Sequence, residues 1–137
     1  MITARVRRID GLKHEVEVGG HTFTADEPVE DGGTDAGPSP TRLLTAALAS
    51  CTAITIQMYA GRKDWDLEGL EVAAEFDGSP KGADTAHFRV HLTVPPGLDE
   101  DQVDRIRTIA AKCPVHRTLT GRVEIVIDDA PAAEASA

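Results

Sequence analysis

Residues 40–60, "PTRLLTAALASCTAITIQMYA", constrain the fold of this chain more than any other stretch. Ser39 and Pro40 spell a helix start: an N-cap hydroxyl, then a proline at the first helical position, where a missing N–H costs nothing. The pattern predicts one helix from Pro40 to about Ala60, ending near Gly61, with Arg62 and Lys63 past its last turn. Apolar side chains run nearly all round it, including Leu43, Leu44, Ala47, Leu48, Cys51, Ile54, Ile56 and Met58. A helix apolar on every side is buried on nearly every side. Ala46, Ala47, Ala49, Ser50 and Ala53 are small enough to let a second helix approach closely. A chain of 137 residues makes one ordinary domain and has little material to cover such a helix alone. The expectation is a dimer. Thr45, Ser50, Thr52, Thr55 and Gln57 interrupt the apolar run, which argues against a membrane span.

The flanking segments read as strands and turns. Residues 2–9, 14–18 and 21–25 alternate apolar and polar side chains between tight Asp-Gly and Gly-Gly turns, as three short antiparallel strands do. Residues 26–38, "DEPVEDGGTDAGP", form a long Gly-, Pro- and acid-rich loop, a candidate site wall. Residues 67–78 and 86–94 read as two longer strands, with Phe88, Val90 and Leu92 on one face and His87, Arg89 and His91 on the other. Asp99 can cap a helix carrying Val103, Ile106, Ile109 and Ala110. Residues 122–128, "RVEIVID", predict a last strand, and 130–137 a disordered tail. The order βββ-α-ββ-α-β defines a single α+β domain over residues 1–129.

A net charge of −9 argues against a nucleic-acid or membrane-surface partner, which would need a basic face. "MITARVRRID" has no apolar core of a secretory signal, so a cytoplasmic location is expected. In a reducing compartment two cysteines are poor candidates for a permanent bridge; a pairing between them would be transient and chemical.

Those cysteines are Cys51, in the middle of the long helix, and Cys113, in "KCPVHRTL". Pro114 suits the first position of a new helix, which places Cys113 at its N-cap, where backbone N–H groups favour a thiolate. Lys112, His116 and Arg117 add positive charge nearby. The same residue could equally be a small buried hydrophobe. Cys51, among Ala49, Ser50 and Thr52, reads locally as a core residue, where desolvation works against ionisation. Cys113 and His116 have a chelating i, i+3 spacing and Cys51 could join them, but no C-x-x-C or H-x-x-x-H pair supports a metal, and none is expected. His14, His21, His87 and His91 sit at strand-like positions and decorate surfaces.

"GTDAGPSPTRLLTAALASCTAITIQMYA" and "AAKCPVHRTL" together resemble the OsmC/Ohr family of thiol-dependent, organic hydroperoxide-reducing peroxidases, especially its OsmC-like branch. The resemblance covers nearly the whole chain. It implies an OsmC-like fold: an intertwined homodimer with two long central helices and flanking antiparallel sheets, in which the two cysteines meet near the dimer interface. It also implies roles. Cys51 would attack the hydroperoxide and become a sulfenic acid, Cys113 would resolve it to a disulfide, and an external thiol reductant such as dihydrolipoamide would restore both without any bound cofactor. An apolar surround would select organic hydroperoxides. The alternative is a non-catalytic or redox-sensing OsmC-like domain that binds a small apolar ligand.

One departure gives that alternative weight. The family's well-known peroxidases carry a glutamate ten residues before the first cysteine, paired with an N-terminal arginine. Here the position is Thr41, and Arg5, Arg7 and Arg8 offer no clear counterpart. Arg42, in the first turn of the helix, could pair with Asp26, Glu27, Glu30, Asp31 or Asp35 and supply a substitute guanidinium beside Cys51; Glu27 is the acid singled out. An exposed surface arginine is the competing reading.

Overall fold

The computed structural model describes residues 1–77 and 85–129. Strands β1 (Ala4–Asp10), β2 (Lys13–Val18) and β3 (His21–Ala25) form an antiparallel meander in that order. Gly19 and Gly20 both take positive φ, 57° and 79°, as a two-residue hairpin turn requires. The register stacks Val6 on Val16 on Phe23, giving the meander one apolar face. Val6 and Phe23 remain exposed on that face.

After a single 3-10 turn at Val29–Asp31, helix α1 runs from Pro40 to Arg62. Ser39 holds the N-cap position, though its side chain makes no capping hydrogen bond, and Pro40 opens the helix. The helix continues through Gly61. Its stop signal is Asp64, in the left-handed region at φ 55°, followed by Trp65, whose N–H donates to the Ala60 carbonyl at 2.9 Å. Trp65 then packs edge-on against Tyr59, with ring centroids 5.5 Å apart. An aspartate has taken the role expected of a glycine.

Strands β4 (Glu71–Phe76) and β5 (Phe88–Thr93) pair antiparallel, and Phe76 stacks on Phe88. Helix α2 (Glu100–Ala110) begins with a full capping box, in which the Asp99 carboxylate accepts the Gln102 N–H and the Gln102 side chain accepts the Asp99 N–H. Helix α3 (Pro114–Thr120) follows directly. α1 packs against β4, α2 and α3 around Ile56, Ala60, Leu67, Ile106 and Ile109.

A single chain leaves much of α1 uncovered, and the expected last strand is corrected. α1 buries only the stripe Leu48, Thr52, Ile56 and Ala60, one residue per turn, and leaves Leu44, Ile54 and Met58 exposed. By length and apolarity α1 could cross a bilayer, the one such helix among the described residues. Residues 122–128 form no strand: Val123, Ile125, Val126 and Ile127 are exposed. The segment keeps its β-forming composition, but a strand is a property of a pair, and among the described residues nothing pairs with it. The proposed tail, 130–137, and Gly78 at the end of the fourth predicted strand lie outside the described residues.

Candidate active site

Cys113 is the N-cap of α3, as its Pro114 neighbour predicts. Its sulfur accepts the His116 N–H at 3.2 Å, and the residue is fully buried. Lys112 and Arg117 are exposed, and the donor held against the sulfur is a backbone N–H. On its other side the sulfur meets Thr52 Oγ1 at 3.7 Å. Thr52 belongs to the buried stripe of α1 and is the residue after Cys51. The fold therefore carries Cys113 onto the long helix beside the very turn that holds the other thiol. Cys51 is half-buried, about 100° round the helix from Thr52. Both cysteines are free thiols.

Clefts open on either side of His116. One, of about 310 Å³, is lined by Thr52, Phe88, Val90, Leu92, Arg107 and Ala110. The other, of about 470 Å³, is bounded by Leu48, Phe88, Val90 and Leu119. The apolar face of β5 thus forms the wall opposite α1. No group of His, Cys, Asp or Glu among the described residues is arranged to hold a metal ion.

The loop before α1 is built on Asp26, whose carboxylate is buried. It accepts the backbone N–H groups of Glu27, Thr34 and Ala36 and the Thr34 hydroxyl, the last at 2.6 Å. The Thr34 hydroxyl does most to lower its pKa from the ordinary 3.8 to about 2; burial opposes the shift, and the N–H groups of Ala36, Glu27 and Thr34 reinforce it. Because the folded value lies below the unfolded one, this stabilisation is complete above about pH 4 and is lost as pH falls through about 2. In Asp26→Asn the amide NH₂ must face a backbone N–H. The variant is expected to unfold at lower urea concentration at neutral pH, and its midpoint should change less than the parent's as the solution is acidified.

Arg42 pairs with Asp35 at 3.9 Å, not with Glu27, and both side chains are exposed. Asp35 is turned toward the helix start by a left-handed φ of 55° and a bond from its N–H to the Glu27 carbonyl. Arg42 and Cys51 lie nine residues apart on one helix, roughly 13.5 Å along the axis and on opposite sides of it. Arg42 therefore does not stand beside Cys51 of its own chain. Arg7 pairs with Glu15, and the Arg8 side chain donates to the Gly11 carbonyl.

The family model for OsmC-like protein matches residues 32–128, a span that runs from the second half of the loop through both cysteines and everything between them. The chain belongs to the OsmC-like family. Solved structures agree on the fold. A candidate osmotic-stress-induced and detoxification-response protein from Psychrobacter arcticus superposes with a TM-score of 0.69 at 26% identity, covering 85% of this chain and 87% of that one. An organic hydroperoxide resistance protein OsmC from Legionella pneumophila gives 0.68 at 20% identity, over 88% and 90% of the two chains. A candidate organic hydroperoxide resistance protein from Vibrio cholerae, with captopril in one of its active sites, gives 0.65 at 22% identity over 88% and 85%. Among proteins of curated function, none matches this OsmC-like chain.

Sequence reasoning singled out both cysteines but missed Thr52 and the Phe88–Val90 wall. Thr52 had a readable signal, since it falls four residues from Leu48 and four from Ile56, in the stripe that the helix buries.

Proposed function

We propose that this OsmC-like chain is a homodimeric, cytoplasmic thiol peroxidase that reduces organic hydroperoxides. The thiolate of Cys51 attacks the O–O bond, the alcohol leaves, and the sulfur becomes a sulfenic acid. Cys113 displaces hydroxide from that sulfur to form the disulfide, and an external dithiol such as dihydrolipoamide reduces it. The observation that carries the reading is the packing of Cys113 on Thr52, the neighbour of Cys51, beside clefts walled by Phe88, Val90 and Leu92.

Self-association has its own support. Exposed apolar residues include Leu44, Ile54 and Met58 on α1, Val6 and Phe23 on the apolar face of the meander, and Val123, Ile125, Val126 and Ile127 along 122–128. These are the places where a second copy would supply a helix, a sheet or a strand partner.

The alternative, a binding or redox-sensing domain without turnover, draws on Thr41 and on the commitment of Arg42 to Asp35. Steady-state reduction of tert-butyl hydroperoxide with dihydrolipoamide decides between them. The peroxidase reading expects turnover, and a Cys51–Cys113 disulfide by mass spectrometry after one equivalent of peroxide. No turnover in the parent protein would leave the binding reading. Sedimentation should give twice the chain mass.

A further inference from the structure

Thr52 has a single hydroxyl hydrogen and gives it to the Leu48 carbonyl at 2.8 Å. That hydrogen being committed, the oxygen faces Cys113 as an acceptor, and the S–H of Cys113 is its donor. The His116 N–H holds the sulfur from the other side. This arrangement suits a neutral thiol. A thiolate can only accept, so ionisation of Cys113 would require the Thr52 hydroxyl to rotate and direct its hydrogen at the sulfur. The rotation orphans nothing, because the Leu48 carbonyl still receives the helical N–H of Thr52. The ionised sulfur would then have two donors, Thr52 Oγ1–H and His116 N–H, in a site without solvent contact.

We propose that the Thr52 hydroxyl is a two-position switch that holds the neutral Cys113 thiol at rest and stabilises its thiolate for the resolving step. Thr52 is a positioning residue: the role proposed for it acts through Cys113. The inference rests on the reading of Cys113 as the resolving thiol. In that step the Cys113 thiolate attacks the sulfenyl sulfur of Cys51, an S–S bond forms and the S–O bond breaks. The Cys113 proton passes directly to the oxygen of the Cys51 sulfenic acid as the S–O bond breaks, and that oxygen leaves with the electron pair as water. Thr52 then returns its hydrogen to Leu48. Since an O–H···S⁻ bond is charge-assisted and an S–H···O bond is not, the hydroxyl favours the ionised sulfur on balance.

The test uses Cys51→Ser as background, so that Cys113 is the only thiol, and follows its reaction with methyl methanethiosulfonate across pH. Adding Thr52→Val, which keeps the shape and removes the hydroxyl, is expected to slow the reaction about tenfold at neutral pH and to let it catch up in alkali. Adding Thr52→Ser, which restores the hydroxyl, should bring the rate back to within about threefold of the background. Thr52→Ala replaces the valine variant if that one does not fold. A valine or alanine profile that superimposes on the background overturns the switch, and so does a serine variant as slow as the valine one. No hydroperoxide enters this assay. A protein that shows the pH shift yet reduces no peroxide keeps the switch and loses only the peroxidase reading.

Discussion

Cys51→Ser is expected to lower hydroperoxide turnover on the order of a thousandfold or more, while Cys113→Ser keeps the first turnover and loses the later ones. The asymmetry follows from the roles. A serine oxygen at position 51 is neither ionised near neutral pH nor able to become a sulfenic acid, so no alcohol is released at all. With serine at 113, Cys51 still reacts once, and its sulfenic acid persists because nothing nearby displaces the hydroxide. Stopped-flow measurement of alcohol release, with a dimedone trap for the sulfenic acid, separates the two variants. The second substitution is also a fair chemical test. Serine is a better N-cap than cysteine, and its oxygen can take over the bond from the His116 N–H, so α3 keeps its start. A Cys113→Ser protein that released no alcohol in the first turnover would mean that the assigned roles are reversed.

What the sequence revealed was the chemistry that neighbours in the chain settle among themselves. Asp99 and Gln102 close a capping box within four residues, and Pro114 places Cys113 at a helix N-cap without help from elsewhere. The strands of the meander follow from alternation and two glycine turns. What stayed hidden depended on distant partners. Periodicity shows that 122–128 has the composition of a strand but cannot show that it pairs with nothing among the described residues. It recognised an apolar α1 without saying which face the same chain would cover. Glycine is the usual left-handed residue, which points to an end near Gly61; the helix does end close by, at Arg62, but the left-handed residue is Asp64, beside the Trp65 that packs on Tyr59. The acid that meets Arg42 depends on the path of the loop. That path is set by the bonds gathered on Asp26, a residue that in sequence is one acid among five.

The same loop carries the second large prediction: Gly37→Ala is expected to destabilise the protein by about 3 kcal/mol. Residues 37 and 38 return alongside the end of β3, where the Asp26 N–H donates to the Pro38 carbonyl at 3.3 Å. A Cβ on Gly37 would overlap the carbonyl oxygen of Thr24 and stand 2.7 Å from its carbon. Both obstacles are backbone of a paired strand, which cannot rotate aside as a side chain would. Either the loop lifts away from β3 or the β2–β3 ladder shifts. The first course also pulls Ala36 from the Asp26 carboxylate and displaces the first turn of α1, which begins three residues on. Thermal unfolding should therefore fall by roughly 10 °C. Gly61→Ala is the matched control. Nothing lies within 4 Å of a Cβ there, and inside a helix the change should stabilise by about 0.5 kcal/mol. If the two alanine variants unfold at the same temperature, the close approach between loop and strand does not exist in solution, and the start of α1 is anchored by other contacts.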